Sequence, residues 1–177
     1  RVQAATKRIN HRGDTLNAAT LGIDIDSPAE DVIRIHLSHH QGGKPAMKFP
    51  VTESSTKLTA SVDADWARIS SGKLEARVSM GDTWNLEFVA NDKVIAHQRS
   101  RGLSFVIDPD GNHHLSAQMS LGVGEQVYGL GERFTPFIKN GQTVDIWNED
   151  GGTSSEQAYK NIPFYLTNAG YGVFINH

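Results

Sequence analysis

The sequence contains no cysteine, which excludes a disulfide framework, a thiolate metal site and a cysteine nucleophile. This absence suits the reducing cytosol without excluding export. No run of about eighteen apolar residues occurs, so no segment is predicted to span a membrane. The formal net charge is only −3, so the chain lacks the excess of basic residues that a nucleic-acid partner normally requires. We therefore expect a globular cytoplasmic protein that binds neither nucleic acid nor membrane.

The chain also lacks an initiator methionine and a polar carboxyl-terminal tail. It begins Arg1-Val2-Gln3 without the charged-then-apolar pattern of a signal peptide. Residues 171–177 read as a strand that is interrupted rather than ended. We interpret the sequence as the N-terminal part of a longer protein, with residues 1–177 forming a single domain, a size that can bury its own core.

Apolar and polar residues alternate with a period of two along much of the chain, and no stretch keeps helical spacing for three turns. This alternation is clearest in residues 33–38, 58–62, 73–78, 84–88 and 114–121. Turn-forming residues recur between these segments at intervals of roughly ten residues, which is typical of an antiparallel β-sandwich. We predict an all-β fold, with a three-strand meander over 73–98 and at most one helical turn at 28–31. Pro163 predicts an edge position for its strand.

Two glycine-containing motifs allow a nucleotide or calcium interpretation, but structural roles explain them better. The pairs in 122–124 and 129–131 lack the third glycine and the following helix of a dinucleotide fingerprint. Glycines in strands more often mark bulges or close backbone approach. Residues 108–112, Asp-Pro-Asp-Gly-Asn, resemble half of a calcium loop but lack its later acidic ligands. We predict a β-turn there.

The eight histidines and the acidic residues do not assemble into an obvious catalytic or metal site. His36 points outward on its strand, and His39, His40, His113 and His114 read as surface residues in turns, so three or four converging zinc ligands are missing. A Gly-x-Ser-x-Gly nucleophile elbow is also absent. The dense carboxylate group, which comprises Asp145, Glu149, Asp150 and Glu156, could hold an acid/base pair in principle. One loop is a poor support for two carboxylates at a fixed separation. We predict no cofactor and no metal.

The segment 147–168, WNEDGGTSSEQAYKNIPFYLTN, carries many more hydrogen-bonding groups than a simple connection between strands needs. Loops carry functional residues disproportionately, although most loops of this composition are only solvated turns. The segment is therefore the candidate binding loop of the chain.

Several runs of residues in and around this loop resemble the N-terminal domain of family 31 glycoside hydrolases, and most closely that of bacterial-type α-xylosidases. The runs are LGVGEQVYGLGERF at 121–134, NGQTVDIWNEDGGTS at 140–154, YKNIPFY at 159–165 and YGV at 171–173, with weaker similarity in SGKLEARV at 71–78 and WNL at 84–86. No single run is decisive, but their order over some fifty residues makes the resemblance specific.

The resemblance implies a β-sandwich of the galactose-mutarotase-like kind, followed after residue 177 by a catalytic (β/α)8 barrel. It implies retaining hydrolysis by two barrel aspartates, with carboxyl groups about 5–5.5 Å apart, so this chain alone is expected to be inactive. It also implies that a loop at about 147–154 reaches the leaving-group side of the substrate. Asp150 matches the aspartate that contacts the sugar. Thr153 and Trp147 are the other expected substrate-binding residues.

The partners expected from the resemblance are an oligosaccharide or glycoside substrate and the chain's own catalytic barrel, with a homo-oligomer as a further possibility. Glu149 departs from the family pattern, which tends to have a basic residue there, so the resemblance does not set the leaving-group preference. Arg133, Glu132, Gln142 and Trp147 are also interpreted as structural, with an ion pair and packing beside the loop. Two alternatives remain open: a stand-alone carbohydrate-binding module, and a purely structural domain. α-Glucosides are the alternative substrates.

Overall fold

The computed structural model of the chain describes residues 1–39, 52, 54, 56–148 and 160–176. Its elements, in chain order, are β1 (Val2–Ala5), a 3₁₀ helix (Arg12–Thr15), β2 (Thr20–Ala29), β3 (Val32–His39), β4 (Leu58–Val62), β5 (Trp66–Ser71), β6 (Leu74–Ser79), β7 (Leu86–Ala90), β8 (Lys93–Gln98), β9 (Leu103–Ile107), β10 (His113–Ala117), β11 (Val127–Gly129), β12 (Phe164–Thr167) and β13 (Gly172–Phe174). Every strand pair of these elements is antiparallel, so the predicted all-β, antiparallel class is confirmed. The single helical turn that the sequence allows at 28–31 does not form, because Pro28 and Ala29 end β2 and a tight turn follows them.

The described chain forms two compact units, Arg1–Ser120 and Leu121–His177. In the first unit, a three-stranded sheet β1-β2-β3 packs against a five-stranded sheet β4-β5-β6-β7-β8. Strands β6, β7 and β8 are consecutive neighbours, which confirms the meander predicted over 73–98. The second unit contains the three-stranded sheet β11-β12-β13.

The core of the first unit lies between its two sheets and is built by the alternation seen in the sequence. Ala76, Val78 and Leu86 point inward from β6 and β7 and are almost fully buried. Apolar residues of the opposite sheet pack on them, among them Ile25 and Ile35. The polar residues between them in sequence therefore lie on the outer face of the five-stranded sheet.

Two turns at one end of the sandwich are locked together by a side chain. The β2–β3 turn places Asp31 with a φ of 59°, and its carboxylate accepts a hydrogen bond from the backbone N–H of Lys73 in the β5–β6 turn. A Cβ at Gly72 would lie 2.2 Å from that carboxylate, and Gly72 also has a φ of 55°. Glycine at position 72 avoids both the strain of a positive φ and the clash with the Asp31 carboxylate.

An ionic cluster on the outer face of the five-stranded sheet centres on Glu87. The carboxylate accepts hydrogen bonds from Arg77 at 2.8 Å and Arg99 at 2.7 Å. The Arg77 guanidinium also lies over the ring of Trp66, 4.7 Å from its centroid, in a cation–π contact. Burial alone would raise the pKa of Glu87, but the two arginines outweigh it and hold that pKa below its ordinary value.

This lowered pKa predicts a specific acid sensitivity. The contribution of Glu87 to stability is present above the pKa of an unfolded glutamate, about 4.3, and is lost as the pH falls through the folded value. We expect Glu87→Gln to lower the free energy of unfolding at pH 7 by about 1–3 kcal/mol, since two charged hydrogen bonds are weakened. The difference between the two proteins should shrink below pH 4. Urea unfolding between pH 3 and 7 measures it, and a difference that stays constant over this range would contradict the assignment.

The β9–β10 hairpin carries the Asp-Pro-Asp-Gly-Asn sequence, and the predicted turn is confirmed there. Asp108 accepts hydrogen bonds from the backbone of Asn112 at 2.8 Å and from the imidazole of His114 at 3.0 Å. The bonds from His114 and Asn112 lower the pKa of Asp108. The Asp108 carboxylate thus serves as a hydrogen-bond acceptor within its own hairpin.

Three histidines do not lie where the sequence predicts. His39, His113 and His114 are strand residues of β3 and β10 rather than turn residues. The rings of His39, Phe105 and His113 form edge contacts, with centroids 4.8–5.6 Å apart. The sequence misses this cluster because its members come from three strands.

The sheet of the second unit has one exposed apolar face. Phe164, Leu166 and Phe174 share this face and are exposed, while Tyr165 and Thr167 point to the other side. The edge position predicted from Pro163 is wrong, because β12 is the central strand of the three. Pro163 lies just before the first residue of β12, where its missing N–H interrupts no strand pairing.

Candidate functional site

The structure describes the base of the candidate loop and not its middle. Asp150 and Thr153, the predicted substrate-binding residues, lie outside the described residues, as does Glu149. Trp147 and Asn148 form the described start of the loop, and Lys160 and Asn161 form its described end. The described part of the site therefore consists of these four positions and their contacts.

Asn161 joins the two sides of the loop base. Its Nδ2 donates to the backbone oxygen of Trp147 at 2.6 Å and to Oδ1 of Asn148 at 2.7 Å. Its backbone N–H also donates to Oδ1 of Asn148 at 3.2 Å. Three hydrogen bonds across the base fix the distance between the two chain segments.

Arg133 supports Asn161 from below and adds a third segment to the lock. Its Nη2 donates to Oδ1 of Asn161 and to the backbone oxygen of Asp145 at 2.8 Å, and its Nε donates to the backbone oxygen of Leu130 at 3.1 Å. A planar guanidinium can hold such diverging acceptors at once, whereas a lysine ammonium lacks that geometry. We call Arg133, Asn148 and Asn161 the loop-base lock.

The chain after β11 approaches the end of the loop so closely that only glycine fits. Gly131 has a φ of 91°, and a Cβ there would lie 2.0 Å from the backbone oxygen of Lys160. The next residue, Glu132, donates its backbone N–H to that same oxygen at 2.9 Å. The 129–131 glycines thus serve close backbone approach, as the sequence predicts.

The side chains predicted to be structural behave differently from one another. Glu132 pairs with Lys160 at 3.3 Å, but both side chains are largely exposed, so the pair contributes little. Gln142 donates to the backbone oxygen of Ile138 and helps to close the segment before the loop. The prediction that Trp147 packs beside the loop is wrong, because its side chain is 70% exposed. Only the backbone oxygen of Trp147 is held, by a hydrogen bond from Asn161. The contact between Trp147 and substrate stays a prediction, and the exposed indole is accessible for it.

Lys139 is a buried cation that sequence reasoning misses. It is 8% exposed, and its Nζ donates to Thr135 Oγ1 at 2.9 Å and to the backbone oxygen of Pro136 at 2.7 Å. Burial lowers its pKa, and the nearby positive charge of Arg133 lowers it further. Lys139 holds the 135–139 turn in place beside the lock, and no sequence pattern distinguishes it from a surface lysine.

Two tyrosines in the second unit have perturbed acidities. Burial raises the pKa of Tyr171 and of Tyr165, and the negative charge of Glu125 raises both further. Both phenols therefore stay protonated at neutral pH and are unsuited to act as general bases.

The described residues hold no group of three or more histidine or acidic side chains that could bind a metal ion. Within that same part of the chain, no helix is long and apolar enough to cross a membrane. The described residues of the loop base can position the loop by hydrogen bonds.

Comparison with known proteins identifies relatives over nearly the whole chain. It is 39% identical over 170 residues to the α-xylosidase XylQ of Lactiplantibacillus pentosus, covering 96% of this chain and 22% of that protein. It is 40% identical over 190 residues to an α-xylosidase of Emericella nidulans, covering 94% of this chain and 24% of that protein. The chain thus spans about a quarter of the length of these curated relatives.

Solved structures share the fold at lower sequence identity. A family 31 dextranase of Flavobacterium johnsoniae matches with a TM-score of 0.65 and 21% identity, covering 91% of this chain and 20% of that one. A family 31 α-xylosidase of Xanthomonas citri matches with a TM-score of 0.62 and 19% identity, covering 91% of this chain and 17% of that one.

The family itself is given by a match over residues 22–177 to the "Glycosyl hydrolase 31 N-terminal galactose mutarotase-like domain". This match covers most of the chain and confirms the family and the fold that the resemblance implied. The chain therefore belongs to the family of N-terminal, galactose mutarotase-like domains of glycosyl hydrolase 31 enzymes.

Proposed function

We propose that this chain is the substrate-shaping N-terminal domain of a retaining α-glycosidase that removes terminal α-xylosyl residues. The loop at about 147–154 contributes to the leaving-group side of the active site, and residues 1–177 act as one domain of the longer enzyme. The two α-xylosidases at 39% and 40% identity support the xylosyl assignment. The observation that carries the role of the loop is the loop-base lock, because a binding loop needs ends that are fixed to a rigid scaffold.

The catalytic barrel is the proposed partner of the exposed apolar face on β12 and β13. Three neighbouring side chains on that face, Phe164, Leu166 and Phe174, are exposed, and Phe164 and Leu166 lie over Gly172 with no bulk between them. Exposed apolar residues that share one face are typical of a surface that another structure covers. A second copy of the protein is the alternative occupant.

Because the sequence has no cysteine, we place the enzyme in the cytoplasm.

Two disaccharides that differ by one hydroxymethyl group test the substrate assignment. Isoprimeverose and isomaltose share the α-1,6 linkage and the glucose leaving group, and only the former has a terminal xylose. We expect the full-length protein to hydrolyse isoprimeverose faster, with α-xylose as the first anomer seen by NMR. Faster hydrolysis of isomaltose would instead assign the protein to the α-glucosidases, and hydrolysis of neither would contradict the proposal.

The loop-base lock gives a separate prediction. Asn161→Ala removes the two side-chain bonds across the base and the acceptor that Asn161 offers to Arg133, and it keeps only the backbone bond to Asn148. We therefore expect kcat/KM for isoprimeverose to fall by about 3–30-fold. An aryl α-xyloside lacks the leaving-group sugar, and its hydrolysis should change little. Steady-state kinetics of the full-length protein on both substrates measure the effect.

Asn168→Ala is the matched control for this variant. Asn168 also ties a turn by hydrogen bonds, accepting from the backbone of Gln126 at 2.9 Å and donating to that of Gly124 at 3.1 Å. It does not contact the loop base in the described residues. If both variants lose the same activity on both substrates, the effect of Asn161 is general destabilisation and the positioning role is wrong.

A further inference from the structure

A shallow groove lies beside the β6–β7 turn, wholly within the unit Arg1–Ser120. Its volume is about 480 Å³, and it is lined by residues from the end of β6, the β6–β7 turn and the segment after β8, among them Asp82, Trp84, Asn85 and Arg99. We call it the β6–β7 groove. This volume is within the range of small-molecule sites, about 300–1,000 Å³.

The aromatic wall of the groove is held in place before any ligand arrives. Trp84 packs against the buried cluster of Ala76, Val78 and Leu86, and its Nε1 donates to Oε1 of Gln98 at 3.1 Å. The indole therefore presents its groove-lining part in one orientation. A fixed aromatic surface provides contact area at little entropic cost.

Polar groups of both hydrogen-bonding kinds line the same groove. Oδ1 of Asn85 is occupied by Arg99, which leaves the amide N–H groups of Asn85 to donate. Asp82 is exposed and makes no hydrogen bond or ion pair in the described part of the chain, so its carboxylate is free to accept. A hydroxyl both donates and accepts, and neighbouring hydroxyls on one ring can use both groups together.

The charges around the groove balance, which selects against an anionic ligand. Arg99 is paired with Glu87 at 2.7 Å, and Glu87 is paired in turn with Arg77 at 2.6 Å. With Asp82, the cluster has two cations and two carboxylates. An anion would gain no net attraction there and would meet the free carboxylate of Asp82.

We infer that the β6–β7 groove binds a neutral oligosaccharide, with Trp84 as the apolar platform and Asp82 and Asn85 as partners for its hydroxyls. The groove is open rather than enclosed, so it suits a segment of a longer sugar chain more than a single terminal residue. Binding there does not require the loop at 147–154 to act as proposed. The site would retain polymeric substrate on the protein.

Affinity electrophoresis of the full-length protein tests this inference, with xyloglucan, dextran and the anionic polygalacturonate in separate gels. We expect xyloglucan or dextran to retard the protein, and Asp82→Ala/Asn85→Ala to raise the apparent Kd about tenfold, a change of about 1.4 kcal/mol. Asp82→Ala alone, which removes no contact seen in the described residues, should show a smaller increase. Asp110→Ala, an exposed aspartate in the β9–β10 turn, is the matched control and should behave as the parent protein does.

Hydrolysis of isoprimeverose in each variant serves as the control for folding and for the active site, and it should be unchanged. The inference is wrong if no neutral polysaccharide retards the protein, or if the double variant is retarded as strongly as the parent. Stronger retardation by polygalacturonate would also overturn it. Because the role of the loop is tested on a disaccharide and the groove on polymers, either proposal can fail without the other.

Discussion

Replacement of Asp150 by alanine is expected to lower kcat/KM for isoprimeverose by about 10–100-fold in the full-length protein, the loss of one or two hydrogen bonds to a charged group. A carboxylate can accept bonds from two vicinal hydroxyls of the leaving-group sugar, and such charge-assisted bonds contribute about 1.5–3 kcal/mol each. Binding energy from a part of the substrate that does not react can lower the barrier if it positions the scissile bond. Asp150 would therefore act by positioning, without entering the chemistry.

The comparison of two substrates makes this expectation specific. An aryl α-xyloside has no sugar on the leaving-group side, so Asp150→Ala should leave its hydrolysis nearly unchanged. Asp150→Asn keeps the shape and one acceptor, and it should lose less activity on isoprimeverose than the alanine variant. Unchanged disaccharide kinetics in Asp150→Ala would leave a purely structural domain as the better description.

Leu86→Ala should lower the free energy of unfolding by about 2–5 kcal/mol. Leu86 is fully buried in the cluster with Ala76 and Val78, and residues of the opposite sheet pack against this cluster. Removing its side chain leaves a cavity between two sheets, which cannot close without moving strands. Urea unfolding of the chain followed by circular dichroism measures the change.

Leu16→Ala is the matched control, because it removes the same atoms from an exposed position. Its effect should stay within about 0.5 kcal/mol. If the two leucine variants unfolded at the same urea concentration, the cluster between the sheets would not be the main core of the unit.

Alternation predicts β6 and β7 well because their two faces meet different surroundings. Ala76, Val78 and Leu86 face the core, while Arg77 and Glu87 lie on the opposite face and pair with each other. Strand β2 is the longest of the sandwich, yet the alternation does not predict it, because Gly22, Asp24 and Pro28 are residues that strands disfavour. Tertiary context here outweighs the low strand propensity of these three residues.

The alternation over 114–121 shows a second limit. It predicts one strand, but β10 ends at Ala117. Gln118 then donates its N–H to Gly102 at 2.8 Å, and Ser120 donates to His97 of β8 at 2.9 Å, so the chain changes partners within a few residues. Period-two spacing indicates which residues lie on the same face of a strand. It does not indicate which neighbouring strand that strand pairs with.

The candidate site is predictable in part. The loop itself is visible as a polar segment and as a family resemblance, whereas the lock beneath it is not. Arg133, Asn148 and Asn161 lie 13–28 positions apart and belong to no local motif. Long-range hydrogen bonds of this kind arise from the fold as a whole, so a pattern read along the chain misses them.

The loop-base lock also bears on how far the segment that it closes can vary in length. Asn161 holds Trp147 and Asn148 beside it, so the two ends of the loop are already close together. The scaffold thereby offsets the entropic cost of closing the loop. Doubling the length of the insert would add only about 0.6 kcal/mol of closure entropy. If this segment forms part of the leaving-group side as proposed, replacing it with that of a relative with another aglycone preference should transfer that preference.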